Sequence, residues 1–332
     1  MRLYRQLLVV ATLLAFGVIL LGAYVRLSDA GLGCPDWPGC YGQLIGVPAA
    51  AHEQSAALQA FPGKPVEGHK AWKEMVHRYF AGGLGLLIAL IALLAWRHHR
   101  ALHQSPWLPS VLVGVVGVQA LLGMWTVTLL LKPVIVSAHL LGGMMTLSLL
   151  VWLLLRQHHG GQLLFGGELR ALRIHAALAL FVVGVQIALG GWVSSNYAAL
   201  ACGDFPTCLG VWLPEMDFAQ GFQMRRELGQ SADGALLSNT ALTAIHWSHR
   251  FGALIVTVIV GRLAWVLRRP EWRPWGRLLA AALLVQVGLG IANILLALPL
   301  PVAVAHNAGA AVLLSVTLAF NFQLWQASSH TA

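Results

Sequence analysis

Charged residues are scarce in this chain: only 10% of its 332 residues are Asp, Glu, Lys or Arg, while 58% are hydrophobic. A soluble domain of this size carries far more surface charge. Period-two alternation is also missing from the apolar runs, which argues against a membrane β-barrel. The chain instead contains eight apolar runs, each long enough to cross a hydrocarbon core about 30 Å thick. We therefore predict an all-α membrane protein with spans near 6–27, 73–96, 108–131, 134–155, 171–194, 242–266, 276–298 and 301–324.

Acidic residues are the scarcer charged type, with 12 Asp and Glu against 21 Lys and Arg. Most arginines stand at the N-terminus and in the second, fourth and sixth connections between the predicted spans. By the positive-inside rule, these segments face the cytoplasm. We therefore predict cytoplasmic termini and a multi-pass protein of the inner (plasma) membrane. The positive net charge reflects this topology, so the lipid bilayer is the expected partner and nucleic acid is not.

Cysteine is rare as well, and the four cysteines form two pairs of equal spacing. Cys34 and Cys40 stand in "CPDWPGC", and Cys202 and Cys208 stand in "CGDFPTC". Both pairs lie in long connections that the charge distribution places on the outer, periplasmic side. A disulfide, a metal site and a redox-active pair are all compatible with this spacing.

The chain reads as a tandem repeat of about 168 residues, which is the offset of Cys202 from Cys34. "VHRYFAGGL" returns as "SHRFGALIV", "VQALLG" as "VQVGLG" and "SAHLLGG" as "VAHNAGA", in the same order. We predict two tandem pseudo-symmetric four-helix bundles in the same orientation. The N-terminal half is 1–160 and the C-terminal half is 161–332.

Four histidines lie inside predicted spans: His77, His139, His249 and His306. A polar side chain there is costly unless it is paired or functional. They occupy the second and fourth helix of each half, roughly 6–14 Å below the outer surface at ~1.5 Å per residue. Two imidazoles at similar depth can ligate both faces of one haem, so we predict bis-histidine haem sites. Hydrogen bonding between helices is the alternative, as is a relay in a transporter. A zinc site is disfavoured because the cysteines lie in the outer loops.

Arg78 and Arg250 directly follow two of these histidines. An arginine at this depth must find an anion, and we predict that it binds a haem propionate. A salt bridge to a loop carboxylate, such as Asp36 or Asp204, is the alternative.

The two halves differ three residues before these histidines, where Glu74 stands in the first half and His246 in the second. An i, i+3 spacing places Glu74 on the same helix face as His77. A carboxylate beside a haem pocket can position a substrate, relay protons or stabilise a cationic intermediate. His246 can support a ligand or bind a propionate. The asymmetry predicts two haem sites with different tasks, one that reacts and one that holds its haem.

Together these features resemble the haem A synthase family. The motifs are "RLSDAGLGCPDWPGCYGQ" after the first span, "EMVHR" in the second, "HR" in the sixth, and single histidines in the fourth and eighth. The resemblance covers nearly the whole chain. It implies oxidation of the C8 methyl group of haem O to a formyl group, giving haem A for cytochrome c oxidase assembly. It also implies haem O synthase and an electron donor as partners.

The resemblance assigns roles to the residues. His249 and His306 would ligate a resident haem b, and His77 and His139 would ligate the substrate haem O. Glu74 would be required for catalysis. A bis-histidine di-haem cytochrome b that only transfers electrons is the alternative function.

For both cysteine pairs, a loop disulfide on the oxidising side is the preferred interpretation, ahead of a redox-active pair and a metal site. In the family the N-terminal pair is connected with function more than the C-terminal one. Glycine-rich helix faces such as "AGGLGLL" also permit a homo-oligomer.

Overall fold

The structure is a computed structural model that describes residues 2–158, 169–231 and 234–326. Within these ranges the chain forms ten α-helices and no strand, and eight of the helices are long and apolar enough to cross a membrane. The prediction of an all-α membrane protein with eight spans is confirmed. The predicted boundary at 160–161 lies outside the described residues. The helices are α1 (Arg2–Leu27), α2 (Ala51–Ala60), α3 (Gly68–Leu102), α4 (Trp107–Thr128), α5 (Pro133–His158), α6 (Leu169–Ser195), α7 (Phe218–Gly221), α8 (Asn239–Val266), α9 (Arg273–Leu295) and α10 (Leu300–Gln326).

All eight membrane helices begin before their predicted apolar runs, by one to five residues, and two of them show why. α3 starts at Gly68 rather than 73, and α8 starts at Asn239 rather than 242. The first turn of α8 is capped by Ser238, whose hydroxyl accepts a hydrogen bond from the Ala241 N–H. Polar first turns of this kind are helical but do not register in a hydropathy pattern. Both helices therefore extend beyond the apolar stretch toward the cysteine loops.

The membrane helices close into two rings. α1 packs on α3, α3 on α4, α4 on α5, and α5 back on α1. α6, α8, α9 and α10 form the same cycle of contacts. The rings meet through α1, α5, α6 and α10, which form the centre of the molecule. This pattern is the one expected of two four-helix bundles, and the division of the chain into two domains stays a prediction.

One buried apolar cluster extends through both rings and across the junction between them. Leu147, Leu150 and Leu153 of α5 are buried in one cluster with Ala11 of α1 and Phe320 of α10. Large apolar side chains on the outside of the spans remain exposed, as expected of a surface that contacts lipid acyl chains. The histidine-bearing helices are therefore held around a packed centre.

Each cysteine pair closes a small loop as a disulfide, as predicted, and the side of the membrane on which the loops lie stays a prediction. In the first loop the Asp36 carboxylate accepts hydrogen bonds from the main-chain N–H groups of Tyr41 and Gly42, at 2.6 and 2.8 Å. Gly42 has φ +80, a conformation that glycine adopts without steric cost. The aspartate thereby fixes the turn that brings the second cysteine back to the first.

Asp204 plays the same part in the second loop. Its carboxylate accepts hydrogen bonds from the Thr207 hydroxyl at 2.5 Å and from the N–H groups of Leu209 and Gly210 at 2.6 and 2.9 Å. These donors, the Thr207 hydroxyl first, lower the pKa of Asp204 to about 2. The carboxylate therefore stays ionised and keeps the loop turned over the whole physiological pH range.

Candidate functional site

The four candidate ligand histidines lie at corresponding depths in the two rings. His77 and His249 stand about 13–15 Å along α3 and α8 from their first residues, at 1.5 Å per residue. His139 and His306 each stand about 9 Å along α5 and α10. All four side chains are half-buried. The helix ends thus place two histidines at similar depth within each ring.

In the C-terminal half the two histidines face each other. The ring centres of His249 and His306 are 6.5 Å apart, and the ring planes are inclined at 80°. A metal bound about 2 Å from one nitrogen of each ring would place the ring centres roughly 6 Å apart. The pair therefore fits a single iron held between two imidazoles.

Every one of these rings lies against a glycine of the preceding helix. A Cβ built on that glycine would meet the histidine Cε1 at 3.0–3.4 Å, so a larger residue would displace the ring. The pairs are Gly22 with His77, Gly123 with His139, Gly190 with His249, and Gly290 with His306.

The ring nitrogens fit a ligand role. Nδ1 of His77, His139 and His306 is buried without a hydrogen-bond partner among the described residues. Buried polar atoms in native proteins are normally satisfied, so such nitrogens require an explanation. A bound haem iron would fit these residues, because it uses one ring nitrogen and fixes the orientation of the other.

Glu74 lies beneath the first cysteine loop. Its side chain is 5% exposed, and its Oε2 accepts a hydrogen bond from the Cys34 N–H at 3.0 Å. Its Oε1 pairs with Nη2 of Arg78 at 2.5 Å. Nη1 of Arg78 donates to the main-chain oxygens of Asp36 and Gly39 in the cysteine loop. The carboxylate therefore joins α3 to the disulfide loop through charge as well as hydrogen bonds.

His246 makes the matching contacts in the C-terminal site. Its Nδ1 accepts a hydrogen bond from the Cys202 N–H at 3.2 Å, and Nε of Arg250 lies 3.3 Å from its Nε2. Arg250 also donates to the main-chain oxygens of Thr207 and Cys202, at 2.7 and 2.5 Å. His246 thus supports the loop from beneath, as Glu74 does in the other half.

The two arginines are engaged with the cysteine loops. In the described part of the chain, Arg78 forms its ion pair with Glu74 and Arg250 contacts main-chain oxygens. The alternative, a salt bridge to a loop carboxylate, is not formed, because Asp36 and Asp204 are used within their own turns. Propionate binding by the arginines stays a prediction.

A small cavity borders the first loop on its outer side. Its volume is about 240 Å³, and Cys34, Tyr41, Lys64 and Glu67 are among its lining residues. Desolvation by burial, aided by the nearby Glu67, raises the pKa of Tyr41. No group of three or more His, Cys, Asp or Glu suited to a metal ion occurs among the described residues, so the metal interpretation of the cysteines is not supported.

A family model described as cytochrome oxidase assembly protein, COX15-CtaA, matches residues 5–318. The chain belongs to this family. The haem A synthase of Shewanella oneidensis is 45% identical over 316 residues, covering 95% of this chain and 94% of the relative. The haem A synthase of Chelativorans sp. is 29% identical over 322 residues (92% and 86%), and that of Caulobacter vibrioides is 25% identical over 338 residues (96% and 94%).

Three glutamines beside the histidines of this family member were missed by the sequence reasoning. Each stands four residues before a glycine that seats a histidine: Gln119, Gln186 and Gln286. The signal was present, because "VQALLG", "VQIALG" and "VQVGLG" share one pattern, V-Q-x-x-L-G. Only the first and third are related by the repeat of about 168 residues, whereas the second lies in the other helix pair of its half.

Proposed function

We propose that this protein oxidises the C8 methyl group of haem O to a formyl group and so produces haem A for cytochrome c oxidase. Membership of the family and 45% identity to a haem A synthase support this activity. Two histidine pairs in an eight-span membrane protein supply the two haem sites that it needs. The reaction consists of two successive hydroxylations of the methyl carbon, after which the gem-diol loses water.

His249 and His306 are the axial ligands of a resident haem b in this proposal. Their ring separation of 6.5 Å supports a shared iron. The bound haem b supplies a one-electron redox centre. The residues of the C-terminal half orient it and exclude water from it, and they do not react.

His77 and His139 hold the substrate haem O, and Glu74 is the catalytic carboxylate. The observation that carries this assignment is the exchange of Glu74 for His246 at matching positions beneath the two cysteine loops. A carboxylate 5% exposed can accept a proton inside the membrane, whereas a neutral histidine held by Cys202 serves only as support. Glu74 therefore takes up or relays the protons released as the methyl carbon is oxidised.

The surroundings follow from the same proposal. The protein lies in the inner membrane with both cysteine loops on the periplasmic side and Arg78 and Arg250 near the haem propionates. Haem O synthase supplies the substrate, and a separate electron donor serves the redox steps.

The test is haem analysis of protein purified from cells that supply haem O. We expect haem A or hydroxylated haem O in extracts of the wild-type protein, and a loss of about 100-fold or more in Glu74→Gln, which retains haem b. Glu271→Gln removes an exposed carboxylate elsewhere and should form product normally. Two haem b groups per chain, no oxidised product and no effect of Glu74→Gln would instead identify an electron-transfer cytochrome b.

A further inference from the structure

The three glutamines contact their histidines in different ways. Nε2 of Gln186 lies 2.9 Å from the main-chain oxygen of His249 and 3.0 Å from its ring Nδ1. Nε2 of Gln286 lies 3.4 Å from the ring Nε2 of His306. In the C-terminal half, therefore, a glutamine amide contacts both imidazole rings.

The N-terminal half lacks these ring contacts. The side-chain amide of Gln119 donates to the main-chain oxygen of His139 at 2.9 Å, and the ring of His139 is hydrogen-bonded to the main chain of Gln119. Beside His77, the position four residues before the seating glycine is Val18, in "GVILLG". The valine side chain offers no hydrogen bond; the Val18 main chain is hydrogen-bonded to the His77 ring, and Nδ1 of His77 is buried without a partner among the described residues. His77 is thus the one of the four histidines that has no glutamine four residues before the glycine against which its ring lies.

The residue three positions after each histidine differs in the same way as the glutamine position. Three residues after His139, His249 and His306 stand Gly142, Gly252 and Gly309. A Cβ on any of the three would collide with the glutamine Oε1 of the same unit. Three residues after His77 the residue is Phe80, where no glutamine needs the space. At three of the four histidines, therefore, a glutamine is present where a glycine leaves space for its amide, and both are absent at His77.

The chemistry of ligand histidines gives these contacts a purpose. A histidine that ligates a metal is oriented by the partner of its second ring nitrogen, and loss of such a partner commonly weakens metal binding 10–100-fold. An amide can donate through its nitrogen or accept through its oxygen. Oε1 of Gln186 and Gln286 is buried without a partner among the described residues. The N–H of the neighbouring histidine ring could donate to this amide oxygen when the other ring nitrogen binds iron.

We propose that Gln186 and Gln286 are positioning residues for the histidine ligands of the C-terminal haem, and that Val18 leaves His77 as the releasable ligand of the N-terminal haem. The inference rests on the proposed function, in which one haem is resident and the other is a substrate that must enter and leave. It adds the residues that make this distinction.

The first experiment measures haem release and reduction potential. Protein loaded with haem b and haem O is mixed with excess apomyoglobin, and the haems remaining are extracted and resolved by chromatography. In the wild-type protein, haem O should leave faster than haem b. In Gln186→Val or Gln286→Val, haem b should leave about tenfold faster. Gln54→Val, on the exposed surface of α2, is the matched control.

The midpoint potential of haem b shows whether Gln186 positions the histidine ring or only fills space beside it. Gln186→Glu should retain haem b and lower its midpoint potential, because a carboxylate partner makes the imidazole a stronger electron donor. Gln186→Val should not lower it. Unchanged potentials in both variants, together with unchanged haem b release, would overturn the inference. If Gln186→Val fails to fold, Gln286→Val and Gln186→Glu provide the same comparison.

The reverse exchange is the second experiment. Val18→Gln combined with Phe80→Gly builds the missing contact beside His77 and should slow haem O release severalfold while haem b release stays the same. Equal haem O release in this variant and the wild type would contradict the assignment of His77. A wild-type protein that forms no oxidised haem would refute the proposed function itself, whereas normal product formation with unaltered release rates refutes only the roles of the glutamines.

Discussion

The N-terminal and C-terminal sites have the same arrangement of loop, arginine and histidines, but they differ in which of these the neighbouring side chains hold in place. In both, an aspartate turns a disulfide loop, an arginine binds loop carbonyls, and two histidines lie against glycines. The N-terminal site fixes its loop with the Glu74–Arg78 ion pair and leaves the ring of His77 without a glutamine. The C-terminal site contacts both histidine rings with amides and supports its loop with a neutral residue. A firmly held cysteine loop and a histidine without a glutamine partner suit a site where a substrate is bound and released. Histidines that contact glutamine amides suit a site that keeps its cofactor.

The difference beneath the loops has a simple chemical basis. A carboxylate has two acceptor oxygens, so Glu74 satisfies the Cys34 N–H and Arg78 at the same time. A neutral imidazole accepts at only one nitrogen, so His246 cannot fully satisfy both Cys202 and Arg250. The second loop is therefore held mainly by the arginine on its carbonyls.

Close packing reinforces the contrast. Gly33 precedes Cys34, and a Cβ there would lie 2.6 Å from the main-chain carbon of Lys70 on α3. Glycine is therefore needed for this approach of loop to helix. The matching residue before Cys202 is Ala201. The first loop thus sits against its helix in a way that the second does not require.

The largest expected effect is loss of the resident haem. His249→Ala or His306→Ala removes one of two axial ligands and should yield protein without haem b. His77→Ala or His139→Ala should retain haem b and form no oxidised product. The Soret absorbance and extracted haem of the purified variants measure both. Haem b retained in His306→Ala would break the assignment of the two halves.

Removing the arginines tests how tightly each loop is held. Arg78→Ala leaves the buried Glu74 carboxylate without its cation and should cost about 3–5 kcal/mol, whereas Arg250→Ala breaks neutral contacts and should cost about 1–3 kcal/mol. The rate at which a mild reductant opens Cys34–Cys40 or Cys202–Cys208 reports the loosening of each loop. If the two variants increase the rate of disulfide reduction equally, the Glu74–Arg78 charge pair does not hold its loop more tightly than the neutral contacts hold the other loop.

Removing a disulfide is expected to have a smaller effect than Arg78→Ala. Replacing either cysteine pair by serine should lower stability by ~2–3 kcal/mol, because each closes a short loop. Thermal unfolding measures this loss, and product per chain measured in parallel tests for redox activity. Similar stability losses with product lost only in the Cys34/Cys40 variant would identify that pair as reactive and sharpen the comparison further.

The sequence was sufficient for the fold and for the position of the histidines. Apolar length alone predicts the eight spans, and the repeat places His77 with His249 and His139 with His306. Hydropathy could not give the early start of α3, since its first turns contain Lys70 and Lys73.

Contacts between distant parts of the chain could not be predicted from sequence patterns. The pairing of Glu74 with Cys34, 40 residues earlier, depends on the path of a loop turned by Asp36. For the same reason the contacts of Arg78 with Glu74 and the loop could not be predicted, while its binding to a propionate stays a prediction. Gln186 stands in an apolar helix as an ordinary polar residue until its distance from His249 is known.

Glu74 also connects protonation to access. It is at once the proposed proton acceptor and the anion that holds Arg78 beneath the first disulfide loop. A proton taken up by the carboxylate cancels the charge that attracts the guanidinium and weakens the acceptor for Cys34. In the proposed mechanism, a proton that reaches this residue would loosen the cover over the site, and a proton that leaves would close it. Turnover and opening would thus be coupled through a single side chain, in whose place the C-terminal half has His246.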